Sequence, residues 1–239
     1  MADTPAPPAG QGLTRELLLS GALPAMIAAT NPEMHVLSDA ERNASLEALL
    51  ACRPERGDGL WVFAYGSLIW NPLIQFTDRL LAHVPGWRRS FCLSVKSGRG
   101  TPEAPGLMLG LIEDQPEGPG CGGVVFRIPE AALALELDVL WRREMIAAGY
   151  TPRWVAIEDA TGARFGQAIA FTINCDGPGY CDNLPEEEVV RRLATAHGRL
   201  GSGAEYLFRT QAGLAEMGIV DPFVARLAQL VDRRMKAVA

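Results

Sequence analysis

The middle of the chain is built from short apolar segments separated by turn residues, and this pattern constrains the fold most. Segments of this length, rich in β-branched and aromatic residues, are typical of strands. They lie at residues 60–65, 79–84, 89–95, 107–112, 123–128, 150–158 and 163–174. Short turns such as Pro85-Gly86 join most of them, so the sheet should be mainly antiparallel. Many strands with few crossover helices favour a barrel or a strongly curved sheet, which avoids exposed edges. The pattern therefore predicts an α+β fold in which helices surround either a small closed, mainly antiparallel β-barrel or a strongly curved sheet.

Helical segments are predicted on both sides of this strand-rich region. Residues 1–12 are rich in Pro and Ala and should form a disordered tail. Residues 13–58 should form an N-terminal helical extension, in which Ser38 and Glu41 make a capping box. Residues 59–239 should form the main body of a single domain. A helix is predicted over residues 130–148, and further helices should begin near Pro185, Ser202 and Asp221.

Composition excludes several classes of protein. The 239 residues are 48% hydrophobic and 21% charged, which is ordinary for a globular chain. A formal net charge of -6 argues against nucleic acid or an anionic membrane surface as the main partner. The five cysteines form no C-x-x-C pair, and their odd number favours a reducing compartment. No apolar run approaches membrane-spanning length, so we interpret the chain as cytoplasmic. The sequence leaves its oligomeric state open.

The first candidate site is the turn that follows the opening strand. Gly66 and Ser67 interrupt the apolar run at residues 60–65. Glycine allows close approach of a ligand or a positive φ, and a serine hydroxyl can bond back to the main chain. Successive N–H groups in such a turn can form a concave nest for an anion or a polarised carbonyl. The alternative, which the turn alone favours, is a buried strand that ends in a tight turn.

The second candidate is Glu144, on the predicted helix over residues 130–148. Apolar positions recur along one face of this helix, and Glu144 falls on the same stripe. They are Leu133, Leu137, Leu140, Trp141 and Ala148. Arg142 and Arg143 are sequence neighbours that should not face Glu144, and Asp138 is a suitable partner for Arg142.

Burying a carboxylate is costly unless it is paired or used, so three interpretations stay open for Glu144. It pairs with an inward arginine, it is solvated by a rotation of the helix, or it is a functional group. If it is buried against apolar walls, its pKa should rise, which suits a general base near neutral pH.

Other motifs carry less weight. Residues 118–123 match G-x-G-x-x-G, but the match precedes a strand and opens no helix, so a dinucleotide site is rejected. The histidines His35, His83 and His197 are scattered without metal-ligand spacing, and no metal site is predicted. Ser67 lacks the G-x-S-x-G elbow and a marked histidine partner, so a serine hydrolase is a weak interpretation.

The motifs taken together resemble the ChaC family, the glutathione-specific γ-glutamylcyclotransferases. The resemblance covers about residues 38–235, in the same order, and is similar to the bacterial members that also carry the N-terminal helix. It is carried by Phe63-Ala64-Tyr65-Gly66-Ser67-Leu68-Ile69-Trp70-Asn71-Pro72, by residues 85–92 and 98–101, by Trp141-Arg142-Arg143-Glu144-Met145 with Gly149-Tyr150, by Pro178-Gly179-Tyr180 and by residues 201–208. Ala64 departs from the family, which usually has Gly there, and its methyl group is expected to crowd the loop.

The resemblance implies a γ-glutamylcyclotransferase-like barrel over residues 59–239 and a reaction without a cofactor. Glutathione would be converted to 5-oxoproline and cysteinylglycine, with Glu144 as the catalytic base. The substrate loop of the family matches Tyr65, Gly66, Ser67, Leu68, Ile69 and Trp70. Tyr180 and Tyr206 are expected to donate phenol hydrogen bonds to the substrate, although each is as readily interpreted as a packed aromatic.

Two other functions remain compatible with the sequence. One is a non-catalytic regulator that binds a γ-glutamyl metabolite or a cation-transport partner. The other is an enzyme acting on a different γ-glutamyl amide, because the loop at residues 97–106 is expected to decide which leaving amine fits.

Overall fold

The computed structural model describes residues 12–54, 57–115 and 118–238 and contains a strongly curved seven-stranded sheet. The strands are β1 Gly59–Ala64, β2 Asp78–Val84, β3 Trp87–Val95, β4 Gly106–Glu113, β5 Cys121–Pro129, β6 Tyr150–Glu158 and β7 Arg164–Ile173. Their order is β1-β5-β2-β6-β7-β4-β3, and β1 also pairs with β7. The pairing of β1 with β7 closes five strands into a barrel, and the β3–β4 hairpin extends from β7.

The barrel is mixed but mainly antiparallel, as the short turns predict. Strands β1 and β7 run parallel, with Trp61 opposite Ala168, and β4 meets β7 in parallel at Leu111 and Thr172. The pairings β1–β5, β2–β5, β2–β6, β3–β4 and β6–β7 are antiparallel. A two-stranded ladder, β8 His197–Gly198 with β9 Gly201–Ser202, lies outside the barrel.

Helices cover the barrel. They are α1 Arg15–Leu19, α2 Ala22–Thr30, α3 Asp39–Ala51, α4 Ser67–Trp70, α5 Leu133–Glu144, α6 Glu186–Thr195, α7 Gly203–Glu216 and α8 Pro222–Val238. The capping box at α3 is confirmed, because Ser38 and Glu41 bond reciprocally. Ser202 caps α7 through the N–H of Glu205, and Asp221 accepts from the N–H of Val224 at the start of α8.

The helix predicted over residues 130–148 is shorter than its apolar pattern indicates. A 3-10 turn at Glu130–Ala132 precedes α5, which ends at Glu144. Beyond that point the carbonyl groups find partners outside the helix. Ile146 accepts from the N–H of Leu37, and Ala148 accepts from the side chain of Asn174. These tertiary hydrogen bonds replace the ones that a longer helix would make, so the helix ends at Glu144 although the apolar pattern continues.

The N-terminal extension shares the core of the barrel. Leu17, Leu18, Leu23 and Ile27 belong to the same buried cluster as the inward residues of the strands. The boundary between the extension and the main body, set at residue 58 from sequence, stays a prediction. Residues 1–11 of the predicted tail lie outside the described residues. Within the described part of the chain, no helix is both long and apolar enough to cross a bilayer.

Candidate active site

The turn after β1 forms the first side of the site. The chain leaves β1 at Ala64 and enters the single helical turn α4 at Ser67. The N–H of Ile69 donates to the Gly66 carbonyl at 3.0 Å, and the N–H of Asn71 donates to the Ser67 carbonyl at 2.9 Å. The sequence predicts Ile69 as part of the substrate loop. Because the Ile69 N–H bonds inside the turn, it is not free to donate to a substrate.

Gly66 is needed at this turn because of a close approach. A β-carbon built on Gly66 would lie 3.1 Å from the Tyr206 hydroxyl and 3.5 Å from a methyl group of Leu109. The backbone φ of Gly66 is −141°, so a positive φ is not the reason for the glycine. The turn therefore places bare backbone directly against the phenol of α7.

Glu144 forms the opposite side, at the last position of α5. Its side chain is 13% exposed, and burial raises its pKa while the neighbouring Arg143 guanidinium opposes that rise. The expectation that Glu144 lacks a local cation is wrong, since Arg143 Nε donates to Glu144 Oε1 at 2.7 Å. Because Glu144 ends the helix, the long arginine side chain reaches it although the two residues are adjacent in sequence.

Arg143 also holds the turn. Its Nη2 donates to the Ser67 hydroxyl at 2.9 Å, and its Nη1 donates to the carbonyls of Asn71 and Pro72, the latter at 3.2 Å. One buried guanidinium thus connects the carboxylate of Glu144 to both ends of α4. The sequence pattern missed this role, because Arg143 had been interpreted only as a neighbour of Glu144.

Three tyrosines, of which Tyr65 and Tyr206 are buried and Tyr150 is half-buried, line the same small space as Glu144. Tyr65 donates to the Phe171 carbonyl at 2.7 Å, and Tyr150 donates to the Leu109 carbonyl at 2.8 Å. Burial raises the pKa of both phenols well above the usual value, with a smaller contribution from the Glu144 charge. The pKa of Tyr206 rises to about 12, mainly through burial and next through Glu144. All three phenols therefore stay protonated near neutral pH and act as hydrogen-bonding groups.

A cavity of about 420 Å³ opens beside Glu144. Ser67, Trp70, Tyr150 and Tyr206 line it together with Glu144, and a second space of about 20 Å³ continues behind them toward Tyr65, Gly66 and Leu68. The small space has room for about one water-sized group. The carboxylate thus stands between an open cavity and a narrow, tyrosine-lined recess.

Charged side chains line the outer part of the cavity. Lys96, Arg99 and Arg209 are the cations, and Glu33 is an anion. Arg99 lies over the Tyr206 ring at 5.4 Å, and Arg209 lies over the Trp70 ring at 5.3 Å. Burial lowers the pKa of the Arg99 guanidinium, and the nearby Glu205 carboxylate opposes that shift. Of the predicted leaving-amine loop at residues 97–106, Ser97, Gly98 and Arg99 reach the cavity.

The structure brings most of the predicted residues together. Glu144, Ser67, Trp70 and Tyr206 line the main cavity, and Tyr65, Gly66 and Leu68 line the recess. Ile69 does not join them, because it is buried in the core with its side chain toward Gly213 of α7.

Tyr180 and Ala64 also lie away from the described cavities. Tyr180 pairs with Leu93 in an isolated bridge and packs against the small cluster around Cys92. Ala64 is fully buried in β1 opposite Val124, so its methyl group packs inside the barrel. The described residues contain no group of three or more His, Cys, Asp or Glu side chains that would suit a metal ion.

Known structures share this fold. The fold is that of the γ-glutamylcyclotransferase-like barrels. The crystal structure of a yeast γ-glutamyl cyclotransferase specific to glutathione superimposes with a TM-score of 0.68 at 24% identity, over 74% of this chain and 97% of the yeast chain.

Sequence comparison identifies the family. The model of the family described as ChaC-like protein matches residues 60–234, and the chain belongs to that family. A relative from Escherichia coli, glutathione-specific γ-glutamylcyclotransferase, is 38% identical over 87% of each chain. The human glutathione-specific γ-glutamylcyclotransferase 1 is 32% identical over 64% of this chain and 71% of its own length.

Proposed function

We propose that this protein is a γ-glutamylcyclotransferase that cleaves glutathione to 5-oxoproline and cysteinylglycine. One observation carries the proposal. The buried carboxylate of Glu144, with its raised pKa, lines a cavity of about 420 Å³ together with Ser67 and Trp70 of the turn. The E. coli and human relatives are named for the same activity.

The reaction needs a base but no protein nucleophile. The α-amine of the γ-glutamyl group attacks its own γ-carbonyl carbon, a C–N bond forms, and a five-membered ring closes. Attack within one molecule removes much of the entropic barrier once the glutamyl arm is held folded. The old amide C–N bond then breaks, and the cysteine nitrogen leaves as an amine.

Glu144 is the proposed proton carrier. An ammonium group has no lone pair for attack, so the carboxylate first takes its proton. The carboxylate passes this proton to the departing nitrogen. The attacking nitrogen loses a second proton as it becomes the ring amide, and that proton ends on the released amine, which leaves as an ammonium while the carboxylate is restored. A pKa raised by burial brings the carboxyl group closer to the working pH, and the Arg143 guanidinium limits that rise by favouring the charged form.

The part of the cavity beside the turn suits the glutamyl end of the substrate, and the recess of about 20 Å³ admits only a water-sized part of it. The N–H groups at the start of α4 face the developing negative charge on the γ-carbonyl oxygen in this proposal, which is where such donors lower a barrier most. Tyr206 adds a neutral hydroxyl beside Gly66. Tyr65 and Tyr150 already donate to main-chain carbonyls, so their part is to shape the recess.

The outer cations suit the rest of the substrate. Glutathione carries one carboxylate at each end, and Lys96, Arg99 and Arg209 line the cavity beyond Glu144. Charges of opposite sign attract the substrate during encounter, and they favour a leaving amine that ends in a carboxylate.

A direct assay tests the proposal. The protein is incubated separately with glutathione, γ-glutamyl-alanine and γ-glutamyl-lysine, and 5-oxoproline is measured by chromatography. Release of 5-oxoproline from glutathione, faster than from the other two, is the expected result. Glutathione binding without any 5-oxoproline would favour the non-catalytic regulator, and preference for another amide would replace glutathione as the substrate.

A further inference from the structure

The N-terminal extension forms part of the cavity wall. Leu13, Ile27, Asn31 and Met34 all line the cavity that contains Glu144. These residues precede the stretch matched by the family model, which begins at residue 60. The site is therefore not contained within the barrel and its own helices.

Arg15 ties the extension to the helix that carries Glu144. Its two terminal nitrogens donate to the two carboxylate oxygens of Glu136, at 2.6 and 2.8 Å. Glu136 is fully buried on α5, so this is a bidentate ion pair inside the protein. The same Nη1 of Arg15 donates to the Leu73 carbonyl at 2.7 Å.

The segment that Arg15 holds has an unusual backbone. Leu73 has a φ of 58°, in the left-handed region that a branched side chain rarely adopts. A second hydrogen bond holds the same segment, because the N–H of Gln75 donates to the Glu136 carboxylate at 2.9 Å. Such conformations persist only where the surroundings over-determine them, and they concentrate at working sites. Here the segment directly follows α4, the proposed substrate turn.

A second connection runs from the extension to the carboxylate. The Asn71 side chain donates to the Leu13 carbonyl at 3.0 Å. The Asn71 carbonyl in turn accepts from Arg143, and Arg143 bonds to Glu144. Hydrogen bonds therefore link residue 13 to the proposed base through two side chains.

We propose that the N-terminal extension is a working part of the active site and that Arg15 is a positioning residue. Arg15 and its partner Glu136 fix residues 73–75, and this holds α4 and the carbonyl acceptors of Arg143 in the geometry that faces Glu144. The catalytic consequence rests on the proposed cyclotransferase function. The structural consequence, an ordered turn at residues 67–75, does not depend on it.

The test compares two arginines of the extension. Arg15→Met removes the clamp. Arg42→Met is the matched control, because Arg42 is also buried but bonds only within the extension, to Leu37 and Asp39. Amide hydrogen exchange of residues 67–75 is followed by mass spectrometry, and kcat and KM for glutathione are measured at a temperature where both variants are folded.

Arg15→Met should speed exchange across residues 67–75 and lower kcat/KM by roughly 10-fold or more, since small misplacements near reacting atoms are costly. Arg42→Met should change neither, even if its melting temperature falls. Arg15→Lys should recover part of the rate, because one ammonium reaches Glu136 or Leu73 but does not reproduce the planar fork. The acid limb of the pH–rate profile should keep its position, since Arg15 does not touch Glu144.

Arg15→Met leaves Glu136 buried without its cation, and this can prevent folding. A double variant keeps the test decisive in that case. In Arg15→Met with Glu136→Gln no charge is orphaned, and the same changes in exchange and rate are expected. Exchange and kinetics equal to those of Arg42→Met would overturn the proposal. If the unaltered protein does not cleave glutathione, the proposed function fails, while the exchange comparison still decides whether Arg15 orders the turn.

Discussion

Replacing Glu144 with glutamine separates its role in proton transfer from its role in the fold. The amide keeps the size and shape of the side chain but does not accept an ammonium proton near neutral pH. General bases contribute roughly 10²–10⁴-fold to a rate, so kcat should fall by at least about 10²-fold. Arg143 remains satisfied in the variant, because Ser67, Asn71 and Pro72 still accept from it.

The stability change of Glu144→Gln should be small. A charge-assisted hydrogen bond of 2.7 Å becomes a neutral one, which costs about 1 kcal/mol. Removing a buried negative charge offsets part of that cost. The net change of about 1 kcal/mol or less corresponds to a shift of roughly 2–4 °C in melting temperature for a chain of this size. An unpaired Glu144, which the sequence indicated, would have predicted equal or higher stability for the variant.

The assay measures 5-oxoproline release and thermal unfolding on the same preparations. Asp138→Asn is the control, because Asp138 lies on the same helix but pairs with Arg142 on the outer face. The control should keep full activity. A Glu144→Gln protein that is clearly destabilised yet turns over glutathione at the normal rate would refute the catalytic assignment and leave Glu144 as a structural ion-pair partner.

Five further outcomes are expected. Burial raises the pKa of Glu144, so the acid limb of the kcat/KM profile should have its midpoint at a pH above 4.5, the ordinary pKa of a glutamate. A midpoint at or below pH 4.5 would contradict the burial argument. The pKa of Glu144 is higher in the folded state than in the unfolded state. The free energy of unfolding of the unaltered protein, relative to that of Glu144→Gln, should therefore fall as pH rises from about 4 through the raised pKa. Denaturant titrations at several pH values would measure this fall. Arg143→Met removes the cation that opposes the shift, so the acid limb should move to higher pH while kcat drops; an unchanged limb would exclude Arg143 from tuning the base. Gly66→Val should raise KM strongly with a smaller effect on melting temperature, because even its first carbon lies 3.1 Å from the Tyr206 hydroxyl, and normal turnover would remove the turn from the site. Activity should persist in dithiothreitol and in EDTA, since the proposed proton transfers use neither a disulfide nor a metal, and loss on chelation with recovery on adding one metal would overturn the mechanism.

The parts of the fold that local chemistry decides were predictable from sequence. The capping box at Ser38 and Glu41 is confirmed, and the strands predicted at residues 150–158 and 163–174 form an antiparallel hairpin, with a φ of 81° at Gly162 in its turn. A barrel or a strongly curved sheet was predicted from the shortage of crossover helices, and the structure closes the barrel through the parallel pairing of β1 with β7. That pairing joins strands about 100 residues apart and has no local signal.

A residue of the site could be predicted only where it interrupts the periodic pattern of buried apolar residues. Glu144 stood out because a carboxylate fell on an apolar stripe. Arg143 did not, since sequence neighbours on an uninterrupted helix point apart, and only the end of α5 at residue 144 brings them together. Tyr150 belongs to one of the motifs that resemble the family, but its place beside Glu144 depends on how the chain passes from the end of α5 into β6. The contribution of Leu13 and Arg15 was missed for a similar reason, because docking of an extension leaves no periodic pattern.

Helix α5 holds both parts of the site, because it carries Glu144 and also bonds to the turn at residues 67–75. Glu136 and Arg143 hold the turn at positions about 10 Å apart along the helix axis, at 1.5 Å per residue, and Glu144 follows at the end. A loop fastened at one point is free to pivot, whereas fastening at two separated points removes that rotation. The same helix thus sets the separation between the carboxylate and the turn, because both are fastened to it.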